Sequence, residues 1–183
     1  MAIAAREVIL DKALELMSEQ GASASSMRQL AAACGCNVAT LYHYFPSKAD
    51  LLRTVIEERR YGERLQVESP PIDRSLPPRE RLAAMLRWLW RATLEEEAVW
   101  RLIIGESIRG EEVAMNAARM IVPALDETLA RWLADELPEL DDPARVARLV
   151  RGQLFSLVVE RLATGEDNAK VRAADMAAVL FPD

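Results

Sequence analysis

No stretch of this sequence approaches the roughly 20 uncharged apolar residues that a membrane-spanning helix needs. The opening run, MAIAAREVILDKALELM, is interrupted by Arg6, Glu7, Asp11, Lys12 and Glu15. It is a poor signal peptide, and a cytoplasmic protein without membrane contact is expected. Histidine occurs once, at His43, and cysteine twice, as Cys34-x-Cys36. A zinc site needs more ligands at suitable spacing. No metal or other cofactor is expected, and the two thiols read as a small core residue and a turn residue. No serine, cysteine or acid is tied to His43 by spacing, so no enzyme activity is expected. Glycine is sparse and no alternating strand pattern occurs, whereas alanine, leucine, arginine and glutamate abound. The expected fold class is all-α. Neither an internal repeat nor a low-complexity tail is present.

Half of the 183 residues are hydrophobic, enough for real cores in one or two small domains. The net charge of −6 is unevenly placed. Residues 1–61 hold seven Lys/Arg and seven Asp/Glu, so the later residues carry the whole excess of acid. Residues 24–48 contain Arg28 and Lys48 and no acid at all. That segment is locally basic inside an acidic chain.

The same segment has the strongest local signals. In SMRQLAAACGCNVATLYHYFPSKADLL, residues 26–52, Ser26 and Gln29 form a capping box that opens a short helix. Met27, Leu30, Ala31 and Cys34 share one face of it, and Gly35 stops it. Asn37 can cap a second short helix that buries Val38, Leu41 and Phe45. Pro46 ends that helix, and Ser47 with Asp50 restarts another. Two short helices joined through a glycine turn form a helix-turn-helix, whose second helix can enter the major groove of DNA.

The pattern T-L-Y-H-Y-F-x-S-K-x-x-L-L, preceded by S-x-R-x-L-A-x-x-x-G, resembles the DNA-binding head of the TetR family of bacterial transcriptional regulators. The resemblance covers about the first third of the chain closely. Beyond it, agreement is limited to length and helical character. The family likeness implies a DNA-binding domain over residues 1–46, a connecting helix over 47–68, and a helical ligand-binding and dimerisation domain over 69–183. The proline-rich SPPIDRSLPP at 69–78 is the clearest break in the chain.

Several residues are candidates for contact with double-stranded DNA. Arg28 can reach a phosphate or the O6/N7 edge of guanine. Asn37, Val38 and Ala39 open the second short helix, the end that meets bases in such motifs. Asn37 also reads as a cap and Val38 as core. Thr40, Tyr42 and Lys48 resemble the family's phosphate-contacting positions, and a hydroxyl, a phenol and an ammonium suit phosphate oxygens. His43 can read a base or a phosphate.

In the later part, Met85, Trp88, Leu89, Trp100, Ile104, Ser107 and Met120 read as the lining of a pocket for a small apolar or amphipathic effector, or as core. Glu106 and Ser107 interrupt the apolar IIGESI and can orient a ligand. The last two helices carry too much apolar surface for a free-standing pair. Leu149, Gly152, Gln153, Ser156, Leu157, Val171, Ala177 and Leu180 are expected at a two-fold contact, which the resemblance also implies. The resulting expectation is a homodimeric, ligand-responsive repressor on a pseudo-palindromic operator. The alternative is an all-helical dimeric ligand- or protein-binding module without DNA binding.

Overall fold

The structure, a computed structural model, describes residues 2–59 and 69–182. Among these residues every regular element is a helix: α1 (Ala2–Gln20), α2 (Met27–Ala33), α3 (Val38–Tyr44), α4 (Lys48–Glu58), α5 (Pro78–Glu95), α6 (Glu97–Ile108), α7 (Glu112–Glu136), α8 (Pro143–Thr164) and α9 (Ala169–Leu180). The expected all-α class holds. The connecting helix is expected over 47–68, and its portion from residue 60 onward lies outside the described residues. The chain divides into two compact units, residues 1–61 with 97–121 and residues 62–96 with 122–183. Packing thus joins α6 and the start of α7 to the N-terminal helices, although the proline-rich break lies before α5.

In the first unit α1 packs against α2, α4 and α6, and α2 against α3. Ile9, Leu10, Ala13 and Met17 of α1 are buried with Leu30, Leu41, Phe45, Leu51 and Val55. The apolar spacing of α1 predicts Val8, Ile9, Ala13, Leu16 and Met17 inward; Val8 is instead exposed, and Leu10 is buried. Ile9 is flanked by Val8 and Leu10, each about 100° away on the helix and both apolar, so periodicity alone does not decide on which side of Ile9 the buried face continues. The acids of α1 read as a solvated face, but two of them hold the end of α4. Arg59 donates to Glu7 at 3.0 Å and pairs with Asp11 at 2.8 Å. Arg6 makes a two-pronged pair with Glu58 at 2.6 and 2.5 Å, and its guanidinium lies 5.6 Å from the centre of the Phe45 ring.

In the second unit α5 packs against α8 and α9. Pro78 begins α5, where the missing N–H costs nothing. Leu82, Met85, Leu86, Leu89 and Thr93 are buried, as their spacing predicts. The same spacing puts Trp88 and Trp90 at the flanks of that stripe; Trp90 is instead buried, its indole N–H donating to Asp167 at 2.9 Å. Trp88 meets Trp132 edge to face, with ring centres 5.5 Å apart. The end of α7 is clamped by two arginines. Buried Arg81 donates to the Glu136 carbonyl and to the Glu139 carboxylate. Arg74 makes a two-pronged pair with the Glu136 carboxylate at 2.9 and 2.6 Å.

The hydrogen bond from Arg74 holds the Glu136 carboxyl below the ordinary glutamate range, with the charges of Arg74 and Arg81 acting in the same sense against burial. A carboxyl whose pKa is depressed on folding stabilises the fold above its unfolded pKa. That contribution is lost as pH falls through the folded value. Acid melting followed by circular dichroism should therefore show a component below the ordinary glutamate range that flattens in Arg74→Ala. Equal acid sensitivity in the variant would remove Glu136 from the account.

Candidate nucleic-acid interface

The helix-turn-helix is built almost entirely from short-range bonds. Ser26 Oγ accepts the Gln29 N–H at 3.2 Å, and Gln29 Oε1 accepts the Ser26 N–H at 2.9 Å, completing the expected capping box. The C-terminal end of α2 is closed by Gly35 N–H to Ala32 O at 3.1 Å and Cys36 N–H to Ala31 O at 3.0 Å. That double closure needs a left-handed residue between the two cysteines, and Gly35 has φ +65°. Asn37 Oδ1 then accepts the Thr40 N–H at 2.7 Å and caps α3. Phe45, before Pro46, is extended and ends it.

Cys34 caps α2, and both thiols are half-buried rather than one being core. Burial pushes the Cys34 thiol up, chiefly, with Cys36 adding and Lys12 opposing. A thiol kept protonated in this way is a poor nucleophile. Among the described residues no group of three or more His, Cys, Asp and Glu could hold a metal ion, and no helix is long and apolar enough to cross a membrane.

Leu41 of α3 is fully buried, and this sets which face of the helix is left outward. Asn37, Ala39, Tyr42 and His43 are exposed, as is Arg28 at the start of α2, and Val38 and Thr40 are half-buried. The Tyr42 side chain, 47% exposed, makes no hydrogen bond within the described residues. His43 stands edge-on to Tyr44, with ring centres 5.5 Å apart.

Two of the expected DNA contacts already have partners. Thr40 Oγ1 donates to Asn37 Oδ1 at 2.9 Å, so its proton is committed to the cap and only its lone pairs face outward. Lys48 Nζ donates to the carbonyls of Ser23 and Ser25 at 3.2 and 3.1 Å. It clamps the start of α4 to the α1–α2 turn and keeps one N–H for another acceptor. Both acceptors lie more than 20 residues away in sequence, where local reading has no access.

The proposed effector-lining residues are not gathered within one unit. Met85, Trp88 and Leu89 belong to the second, and Trp100, Ile104, Ser107 and Met120 to the first. Met85 and Leu89 are fully buried core. Met120 is 77% exposed on α7. Glu106, read as a ligand anchor, is instead buried and bonded to the backbone of Ala22.

The proposed interface residues of α8 and α9 also divide. Leu149, Gly152, Ser156 and Val171 are exposed, and Gln153 and Leu180 are half-buried. Leu157 and Ala177, at 5% and 1% exposure, are core of the second unit and leave the interface set. Val179, which the sequence also offers on the last helix, is exposed, as are Phe155 and Val159, which the sequence reading does not single out. Phe155 and Val159 sit four apart beside Gly152 and Ser156, a spacing that places them on neighbouring turns.

A glycine-stopped helix, a capped second helix and an outward face without acid define a helix-turn-helix DNA-binding protein. The family model for bacterial regulatory proteins of the tetR family matches residues 9–55. An HTH-type transcriptional regulator of Mycobacterium tuberculosis is 30% identical, over 92% of this chain and 80% of its own. The HTH-type transcriptional repressor KstR of Rhodococcus jostii is 30% identical, over 84% of this chain and 71% of its own. Among solved structures, a TetR-family transcriptional regulator from Agrobacterium tumefaciens shares the fold with a TM-score of 0.76 at 17% identity, over 99% of this chain and 100% of its own. The chain belongs to the tetR family of bacterial regulatory proteins and is a DNA-binding transcriptional regulator.

Proposed function

We propose that the protein is a ligand-responsive repressor that binds a pseudo-palindromic operator as a homodimer and is released by a small apolar or amphipathic effector. The observation that carries the DNA-binding half is the outer face of α3. Tyr42 and His43 stand exposed there, Arg28 is exposed nearby on α2, and no acid occurs between residues 24 and 48. Dimerisation is supported by α8 and α9, which leave Leu149, Phe155, Val159, Val171 and Val179 exposed. A monomer seldom leaves so many large apolar side chains on two adjoining helices uncovered. Two heads would occupy major grooves about 34–36 Å apart, one helical turn. Each head is neutral overall and basic only over residues 24–48, so linkage of two heads supplies affinity that one cannot. The effector acts only by binding the two dimer states with different affinity.

Fluorescence anisotropy on labelled duplexes tiled across the gene's own upstream DNA tests this reading. One tile should bind about 10³-fold or more tighter than a random duplex at the same salt. Its affinity should fall steeply as salt rises. Equal weak binding to every tile, followed by an empty selection from a random duplex library, would favour a dimeric ligand- or protein-binding module without DNA binding.

A further inference from the structure

Helix α6 carries a carboxylate into the interior of the first unit. Glu106 is 1% exposed. Its Oε1 accepts the main-chain N–H of Ala22 at 3.0 Å and the guanidinium of Arg109 at 2.8 Å. Ala22 opens the turn from α1 to α2, the entrance to the helix-turn-helix. Arg109 reaches this place because two glycines leave room for it. A Cβ on Gly21 would lie 3.3 Å from the guanidinium carbon, and one on Gly105 would lie 3.2 Å from Nη1. Gly21 also has φ +87°, which lets α1 end there and turn its next N–H toward α6. The other carboxylate oxygen, Oε2, is buried without a partner.

Stability alone does not call for this arrangement. Burying a charge costs more than its pairing returns in many proteins, and an apolar residue of similar volume often does as well or better. What the carboxylate supplies is direction. A charge-assisted bond to a main-chain N–H ties the turn to α6 at one point and at one angle. Apolar packing at the same place would hold the two surfaces together and permit small rotations. The chain crosses between the two units at residues 96–97 and 121–122, on either side of α6 and the first part of α7. The segment that grips the helix-turn-helix is therefore the one continuous in sequence with the second unit at both its ends.

We infer that Glu106 is the positioning residue that sets the orientation of the helix-turn-helix on α6, and through it the half-site spacing that the dimer accepts. This rests on the dimeric operator binding proposed above. Glu106 touches no DNA. Its loss leaves the α2–α3 surface and the packing of α1 on α6 intact and removes the directional bond that fixes where that surface points.

The test uses three kinds of duplex: the operator, the operator with one base pair inserted or removed at its centre, and a single half-site. Wild-type protein should lose about 10²-fold in affinity when the spacing is wrong, because the second head no longer engages. Glu106→Leu should bind the half-site as wild type does and discriminate between spacings by no more than about threefold, the avidity now being independent of spacing. Glu106→Gln keeps an acceptor for Ala22 and should restore the discrimination. Leucine fills the space of the glutamate, so a cavity does not confuse the result, and melting curves confirm that each variant is folded. Should Glu106→Leu fail to fold, Arg109→Ala, at an exposed side chain, removes one donor from the same oxygen and should weaken the discrimination. A folded Glu106→Leu, or in its place Arg109→Ala, that retains the full wild-type preference overturns the inference while leaving dimeric binding intact. Wild-type protein indifferent to spacing would instead overturn the dimeric reading, and this inference with it.

Discussion

Tyr42→Ala is expected to weaken operator binding by about 10²–10⁴-fold while leaving the melting temperature nearly unchanged. A hydrogen bond to a charged group contributes about 1.5–3 kcal/mol. The proposed dimer would make the proposed contact twice, giving about 3–6 kcal/mol, and each 1.4 kcal/mol is a factor of ten. The fold should not suffer. Tyr42 is exposed and makes no hydrogen bond within the described residues, and alanine is the better helix former. Tyr42→Phe separates the hydroxyl from the ring and should account for most of the loss. Anisotropy titrations at one fixed salt read both variants. A loss below about threefold for Tyr42→Ala would mean that the phenol makes no net contribution to phosphate binding, since even two neutral hydrogen bonds, one per subunit, are together worth about 1–3 kcal/mol.

Leu41→Ala, one residue earlier, should fail for the opposite reason. Leu41 is fully buried where α3 meets α2. Truncating a buried leucine costs about 2–5 kcal/mol, with the larger figures where the cavity cannot collapse. In a unit of this size each kcal/mol lowers the melting temperature by about 4–8 °C, so a fall of about 10–30 °C is expected. The seven residues of α3 have no helical stability of their own, so DNA binding disappears with the packing. Temperature distinguishes the two variants. Leu41→Ala should regain operator binding on cooling, as the folded fraction recovers, whereas Tyr42→Ala should stay weak at every temperature. Recovery of both, or of neither, would mean that contact and scaffold do not divide at these two adjacent positions.

That division mirrors what could be read along the chain. Both ends of α2 and α3 and the start of α4 follow from Ser26 with Gln29, Gly35, Asn37, Pro46, and Ser47 with Asp50. Each of these acts on a group within four residues of itself. The inward positions of α5 were equally legible, because its apolar residues occupy one stripe. Where neighbouring residues on more than one side of a helix are apolar, periodicity does not choose among them. In α8, Leu157 turned inward and Phe155 and Val159 outward, and no local signal separates them. In α1, three consecutive apolar residues left the choice between Val8 and Leu10 to the helices that pack on it.

The amino-acid sequence by itself determined the all-helical class, the helix boundaries around the head, and the residues offered by the outer face of α3. These depend on backbone geometry and on bonds that close within one turn. The tertiary structure decided the rest. It assigned α6 to the head's unit, gave Lys48 the carbonyls of Ser23 and Ser25, and turned Glu106 from a possible ligand anchor into the acceptor for Ala22, 84 residues away. A carboxylate in an apolar run signals only that something must satisfy it. What satisfies it is settled when distant segments compete to bury their apolar faces, and that competition leaves no local trace.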